Sequence, residues 1–281
     1  MPPLTIFFWN TGRRDCLPQV VRLAESHSPD IIVLAESRFT EAQLAVELSN
    51  GSNTYGLTVN RSRRLQFFVR FSPTRFQPVH DGPGIAIRQV HPVLGQSILL
   101  VGLHLPSKLH LNDTEQALLV TRLASTIRRV ENRVGHTRTV VIGDLNMNPF
   151  EIGMVGSEGM HAVATRDIAN RGSRRVQGED RRFFYNPMWS LLGDDSAGPP
   201  GTYFFAESGP LAYFWHSFDQ VLLRPALTTG FQIGDVAVLT TAGDRPLVSP
   251  RGRPDPDLSD HLPVLVTVRP SESSNDAQSV G

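Results

Sequence analysis

Short apolar runs dominate the pattern of this chain. Leu4-Thr5-Ile6-Phe7-Phe8-Trp9 and Ile31-Ile32-Val33-Leu34-Ala35 read as strands buried on both faces. Further strands are predicted at 55–59, 66–71, 84–90, 97–103, 139–142, 218–223 and 262–268, with 236–239 another candidate. Helical spacing is rarer. Leu17, Val20, Val21 and Ala24 predict a helix over 17–24, residues 41–48 a short one and residues 113–134 the longest, with Asp113 as its N-cap and Gly135 just past its end. Many short strands and few helices predict an α/β fold in which two sheets pack face to face with helices outside. Residues 166–182 and 243–258 read as surface excursions. No linker divides the chain, so one domain is expected over residues 1–269. The Ser/Glu/Asn/Asp-rich tail, 270–281, is expected to be disordered.

Composition narrows the field. With 281 residues, 40% of them hydrophobic, a sizeable core is available. Lys+Arg and Asp+Glu are both 27, so a uniformly basic coat for nucleic acid is excluded, but a local basic groove is not. Of the 27 basic residues only Lys108 is lysine. So strong an arginine skew lowers the weight of any single arginine cluster. The single cysteine, Cys16, excludes a disulfide scaffold and multi-cysteine metal sites, and fits a cytoplasmic protein. No apolar run approaches a membrane span, and Met1-Pro2-Pro3-Leu4 shows no signal-peptide pattern.

The chemistry lies at strand ends. The first strand runs into Asn10, the second into Glu36, the strand at 97–103 into His104, and that at 139–142 into Gly143-Asp144-Leu145-Asn146; Ser259-Asp260-His261 precedes the last strand. A rigid sheet positions such loop residues for binding or catalysis. The set is acidic, amide and imidazole, with no nucleophilic Ser or Cys in a recognisable setting. Glu36, Asp144 and Asp260 offer oxygen ligands for a hard cation. Asp144 or His261 would orient or deprotonate a water, and His104 would donate a proton or bind an anion. This mixture suits metal-assisted attack of water on a phosphoester.

In order, Phe8-Trp9-Asn10, Ala35-Glu36, Gly102-Leu103-His104-Leu105, Gly143-Asp144-Leu145-Asn146 with Pro149, Ser217-Phe218-Asp219-Gln220-Val221 and Ser259-Asp260-His261 span nearly the whole chain. In these pieces the sequence resembles the endonuclease/exonuclease/phosphatase superfamily. That resemblance implies a four-layered α/β sandwich, two packed mixed sheets flanked by helices. It implies a Mg²⁺- or Mn²⁺-dependent phosphodiesterase, with nucleic acid as the favoured partner and a 5′-phosphate and 3′-hydroxyl as products of a nuclease. It places Glu36 on the metal, with Asp260 and Asn10 beside it. Asp144 would activate the water, and Asn146 would hold that water or the transition-state phosphate. His261 would contact the scissile phosphate, oriented by Asp219. His104 matches the deoxyribonuclease and phosphatase branches and argues against the abasic-site endonucleases. Two departures stand out: Ala35 replaces a usual Gln, and Gly12 stands where many nucleases place an Asp. Asp15 is nearby, without evidence that it substitutes.

Other readings stand beside these. A small-molecule or lipid phosphoester is an alternative substrate, and a catalytically silent binding module an alternative of another class. His104 is either a structural strand-end histidine or a catalytic one. Lys108 is either solvated or a contact to substrate phosphate. Arg61, Arg63, Arg64, Arg70 and Arg75 form one acid-free stretch, and the 166–182 segment, with Arg174 and Arg175, adds six arginines followed by Phe183, Phe184, Tyr185 and Trp189. These are either solvated loops or a surface that holds and stacks a polynucleotide. His216 and His161 match no motif and are read as surface or structural.

Overall fold

A computed structural model describes residues 3–51, 53–206, 208, 210 and 212–269; the tail expected to be disordered lies outside them. Side chains alternate along each strand, and that alternation assigns them to layers. Ile6 and Phe8 point into one core, with Ile31, Val33, Leu100, Val140, Ile142 and Val266. Phe7 and Trp9, on the opposite face of the same strand, join Val20, Leu23 and Leu44 of the helices Leu17–His27 and Glu41–Leu48. Leu99, Val101 and Val141 face Val120, Leu123 and Ile127 of the helix Asp113–Val134. The order is helix, sheet, sheet, helix, as expected.

Among the described residues one sheet has six strands, in the order Val236–Val238, Val264–Val268, Leu4–Asn10, Ile31–Ala35, Leu65–Val69, Gly56–Leu57. The other has seven: Phe76–Gly82, Ile85–Val90, Ile98–His104, Thr139–Asp144, Asp219–Leu223, Phe184–Tyr185, Ala162–Val163. Both are mixed. Leu4–Asn10 runs parallel to Ile31–Ala35 and antiparallel to Val264–Val268, and Ile98–His104 runs parallel to Thr139–Asp144. Gly143 sits in the second parallel pair, where a Cβ would lie 2.0 Å from the Leu103 carbonyl oxygen. No side chain fits there, so glycine precedes Asp144.

Three details differ from the pattern-based expectation. The long helix begins at Asp113 as predicted, but its cap is Asn112. The Asn112 side chain accepts from Glu115 N, and Glu115 reaches back to Asn112 N. The strand Phe76–Gly82 was not predicted. It is a polar edge strand with Pro78 at a register shift, where a proline costs no ladder bond. The 166–182 segment is a short helix, Arg166–Ala169, followed by the hairpin Ser173–Val176/Glu179–Arg182. No described helix is long and apolar enough to cross a membrane.

Candidate active site

Strand register alone brings three of the candidate residues together. His104 pairs with Asp144 across one strand boundary, and Asp144 pairs with Asp219 across the next. From the other sheet, Asn10 ends its strand opposite Ala35, which delivers Glu36 one residue later. His261 enters from the loop before the last strand. Trp9 Nε1 donates to the His261 carbonyl at 2.8 Å, and Ser259 Oγ donates to the Asn10 carbonyl at 2.8 Å and accepts from His261 N at 3.1 Å. Asn10, Glu36, His104, Asp144 and His261 line one cleft of about 1020 Å³, and Asp260 lines it too.

The imidazole of His261 lies between two carboxylates. Its Nδ1 is 2.7 Å from Asp219 Oδ2, and its Nε2 is 3.9 Å from Asp144 Oδ2. Burial would lower its pKa, but Asp219 and Asp144, with a smaller contribution from Asp260, raise it to about 10, so it is an imidazolium at neutral pH. Asp144 is buried, which raises its carboxyl pKa against the lowering pull of His261. Asn10 Nδ2 and Asn146 Nδ2 donate to its Oδ2 at 2.9 and 3.1 Å, and Asn146 N donates to its Oδ1 at 2.9 Å. The second hydrogen of the Asn146 amide goes to the Leu105 carbonyl. Asn146 thus fixes Asp144 in place, from a left-handed backbone with φ 50°. His104 Nε2 lies 3.1 Å from Glu36 Oε1, and this hydrogen bond holds the Glu36 carboxyl below its usual range, against the raising effect of burial.

A divalent cation was expected on Glu36, Asp260 and Asn10. Glu36 is partly open to the cleft and Asp260 is exposed, so both present carboxylate oxygens to it. An all-oxygen donor set fits Mg²⁺ or Mn²⁺. Among the described residues the closest grouping of ligand-type atoms is instead Asp144, Asp219 and His261. There the 2.7 Å bond occupies His261 Nδ1 and Asp219 Oδ2, which marks a hydrogen-bonded relay. Gly12 explains the missing second carboxylate. Its φ is +55°, and a Cβ there would lie 3.1 Å from Asp260 Oδ1, so an Asp would strain the backbone and crowd a like charge. Asp15 is exposed, 3.8 Å from Arg38, and is not part of the cleft wall.

The remaining candidates lie partly at the cleft and partly away from it. Lys108 reaches the cleft rim, but its Nζ lies 2.7 Å from Glu151 and 3.1 Å from Asp113. These carboxylates raise its pKa against burial, and the lysine braces two helix starts. Arg174 and Arg175 lie on the 173–182 hairpin and do not line the cleft. Arg174 Nε donates to His161 Nε2 at 3.0 Å. Phe183, Phe184 and Tyr185 are core residues and offer no stacking surface, whereas Trp189 is half-buried with its ring 6.3 Å from that of exposed Phe150. His216, read as structural, lies in the cleft. Its ring stacks on Phe218 at 4.6 Å, Phe218 stacks on Tyr203 at 5.2 Å, and Tyr203 lies 4.8 Å from the His261 ring. With Phe205 these form an aromatic wall. Arg13, Arg14, Arg38, Arg63 and Arg64 also line the cleft and make it locally basic in a chain of zero net charge.

The Arg174–His161 contact has a measurable consequence. Burial, and then Arg174, lower the pKa of His161 below its ordinary 6.5, so the folded state holds it neutral where the unfolded chain protonates it. The associated stability is intact above about pH 6.5 and is lost as the pH falls from there toward the lowered value. Thermal unfolding midpoints measured between pH 7.5 and 5 should therefore fall less steeply in His161→Asn. Asparagine tolerates the left-handed backbone, φ 51°, at this position.

No family model matches this chain, and no curated relative matches it by sequence. Solved structures do match it. D. rerio TDP2 complexed with single strand DNA product is similar over 96% of this chain and 100% of that one, at 18% identity and a TM-score of 0.56. The human Nocturnin catalytic domain with bound sulfate anion matches over 95% and 94%, at 16% identity and 0.52. An endonuclease/exonuclease/phosphatase from Beutenbergia cavernae matches over 96% and 72%, at 19% identity and 0.50. This chain shares the fold of these structures.

Proposed function

From that fold we propose that residues 1–269 form a metal-dependent phosphodiesterase acting on a polynucleotide. The observation that carries the reading is the buried Asp144–His261–Asp219 constellation, its two carboxylates paired by strand register and its imidazole delivered by a loop, at an arginine-lined cleft. Asp144, held by its three N–H donors, orients a water and accepts its proton as the water oxygen bonds to phosphorus. The opposite P–O bond breaks, and the leaving oxygen takes up a proton to become a hydroxyl. His261, kept charged by Asp219, places a positive charge against the phosphate oxygens as negative charge builds there. Glu36 and Asp260, with Asn10 behind them, would hold Mg²⁺ or Mn²⁺. When bound, that ion supplies charge neutralisation at the phosphoryl group. The arginine side of the cleft suits a phosphate backbone, and the aromatic wall suits stacked bases. Single-stranded DNA bound to the D. rerio TDP2 of this fold supports the same choice.

The test is a substrate panel with purified protein and Mg²⁺ or Mn²⁺. It holds single- and double-stranded DNA, RNA, bis(p-nitrophenyl) phosphate and p-nitrophenyl phosphate. Chelator-sensitive cleavage of a polynucleotide is expected. Cleavage of the small esters alone would replace this reading with a small-molecule phosphohydrolase, and silence across the panel would leave a binding role.

A further inference from the structure

Beside the active cleft lies a second cavity of about 570 Å³, and Arg63 and Arg64 line both. The walls of this second cavity are the loop around Arg61–Arg64 and the turn region 78–84, formed by the end of the strand Phe76–Gly82 and the Pro83-Gly84 turn into Ile85–Val90.

Both walls are built. Arg88, fully buried, joins them: its guanidinium lies 2.8 Å from Asp81 in the turn region and donates to Asn60 Oδ1 at 2.9 Å in the loop. Asn60 also accepts from Ser62 N and donates to Glu41 and to the Leu65 carbonyl. Ser62 Oγ accepts from Arg64 N and Leu65 N. The loop backbone is therefore fixed, while Arg61, Arg63 and Arg64 are exposed, with no ion pair among the described residues. Elsewhere the arginines of the same stretch are engaged: Arg70 pairs with Asp30, and Arg75 lies over Phe71. Asp81, the one carboxylate lining the second cavity, is neutralised from behind by Arg88. A rigid concavity with three guanidinium groups free of ion pairs, and its one carboxylate already paired, suits a polyanion whose charges are spaced along a chain.

We propose that this second cavity is a phosphate-backbone subsite. It would take the strand that leaves the active cleft past Arg63 and Arg64, so that substrate affinity grows with strand length. This rests on the polynucleotide reading of the cleft. The test measures anisotropy of labelled oligothymidylates of 2 and 12 nucleotides, with chelator to block turnover, across a salt series. For the Arg61→Gln/Arg63→Gln/Arg64→Gln variant, affinity for the 12-mer should fall more than about tenfold, and further than for the 2-mer. Its salt dependence should lose about 2 in slope, since each single-strand phosphate contact contributes about 0.7. Arg61→Gln alone lies only on the second cavity and should lose about 0.7 in slope, which keeps the test decisive if the triple variant misfolds. Unchanged 12-mer binding, or equal weakening of the 2-mer and the 12-mer, would overturn the subsite. A wild-type protein that shows the length-dependent binding yet cuts no polynucleotide would instead overturn the nuclease reading and leave the subsite standing.

Discussion

Alanine at Asp144 lowers kcat on the best substrate of the panel by about 10²–10⁴-fold, the range for loss of a positioned acid or base. His261→Ala has an effect of similar size, and the double variant is little worse than either single one. The reason is geometric. Asp144 and the Asp219-held imidazole of His261 lie 3.9 Å apart, so in the proposed reaction both would act on one phosphate and each would be of little use without the other. The activity loss must be separated from unfolding, because Asp144 accepts three hydrogen bonds and its removal leaves buried donors unpaired. Circular dichroism and the unfolding midpoint make that separation. Folded variants with near-wild-type turnover would remove Asp144 and His261 from the chemistry.

Arg224→Ala destabilises the fold by about 3–5 kcal/mol, the cost of stranding one partner of a buried ion pair. Arg224 and Glu131 are both buried and meet in two contacts, Nε to Oε1 at 2.8 Å and a terminal nitrogen to Oε2 at 3.1 Å. The other terminal nitrogen donates to the carbonyls of Arg182 and Phe183, and the guanidinium lies 3.7 Å over the Phe184 ring. Thr139 Oγ1 adds a hydrogen bond to Glu131. Alanine leaves the buried Glu131 carboxylate with that hydroxyl and the outlying Arg182 guanidinium, 3.7 Å away. Urea unfolding measures the loss. The paired change Arg224→Met/Glu131→Leu should recover much of it, because the unpaired charge is then gone. A loss of less than 1 kcal/mol in the single variant would mean that Glu131 finds water or another cation.

This pair also fastens the far ends of two central strands, Thr139–Asp144 and Asp219–Leu223, to the helix Asp113–Val134. Thr139 and Arg224 sit at one end of a pair of strands whose other end carries Asp144 and Asp219. The strand-end residues were legible from sequence because an apolar run that stops at a polar residue marks where a buried strand meets solvent. Helix 113–134 was legible from its period and its terminal glycine. The aromatic wall was not. Tyr203 and His216 belong to two-residue strands, Tyr203–Phe204 and Trp215–His216, too short to leave a period. The arginines misled in the opposite way. Charge runs at 61–64 and 174–175 look alike in one dimension, but the loop of the first brings Arg63 and Arg64 to the cleft, while strand pairing folds the second into a hairpin beside His161. Phe183 to Tyr185 adjoin that exposed hairpin in sequence yet lie in the core. The role of Asn146 in holding Asp144 was hidden as well, because it depends on a positive φ that no composition reveals.

The strand Leu4–Asn10 lies between Ile31–Ala35 and Val264–Val268, so Asn10 and His261 meet only when the first and last strands of the fold have joined. During synthesis, Asn10 and Glu36 emerge early and wait for more than 200 further residues before Asp260 and His261 leave the ribosome. Closure of so long a loop is slow compared with local helix formation. A partly made chain therefore lacks the complete set of cleft residues until the strand Val264–Val268 has emerged and paired with Leu4–Asn10.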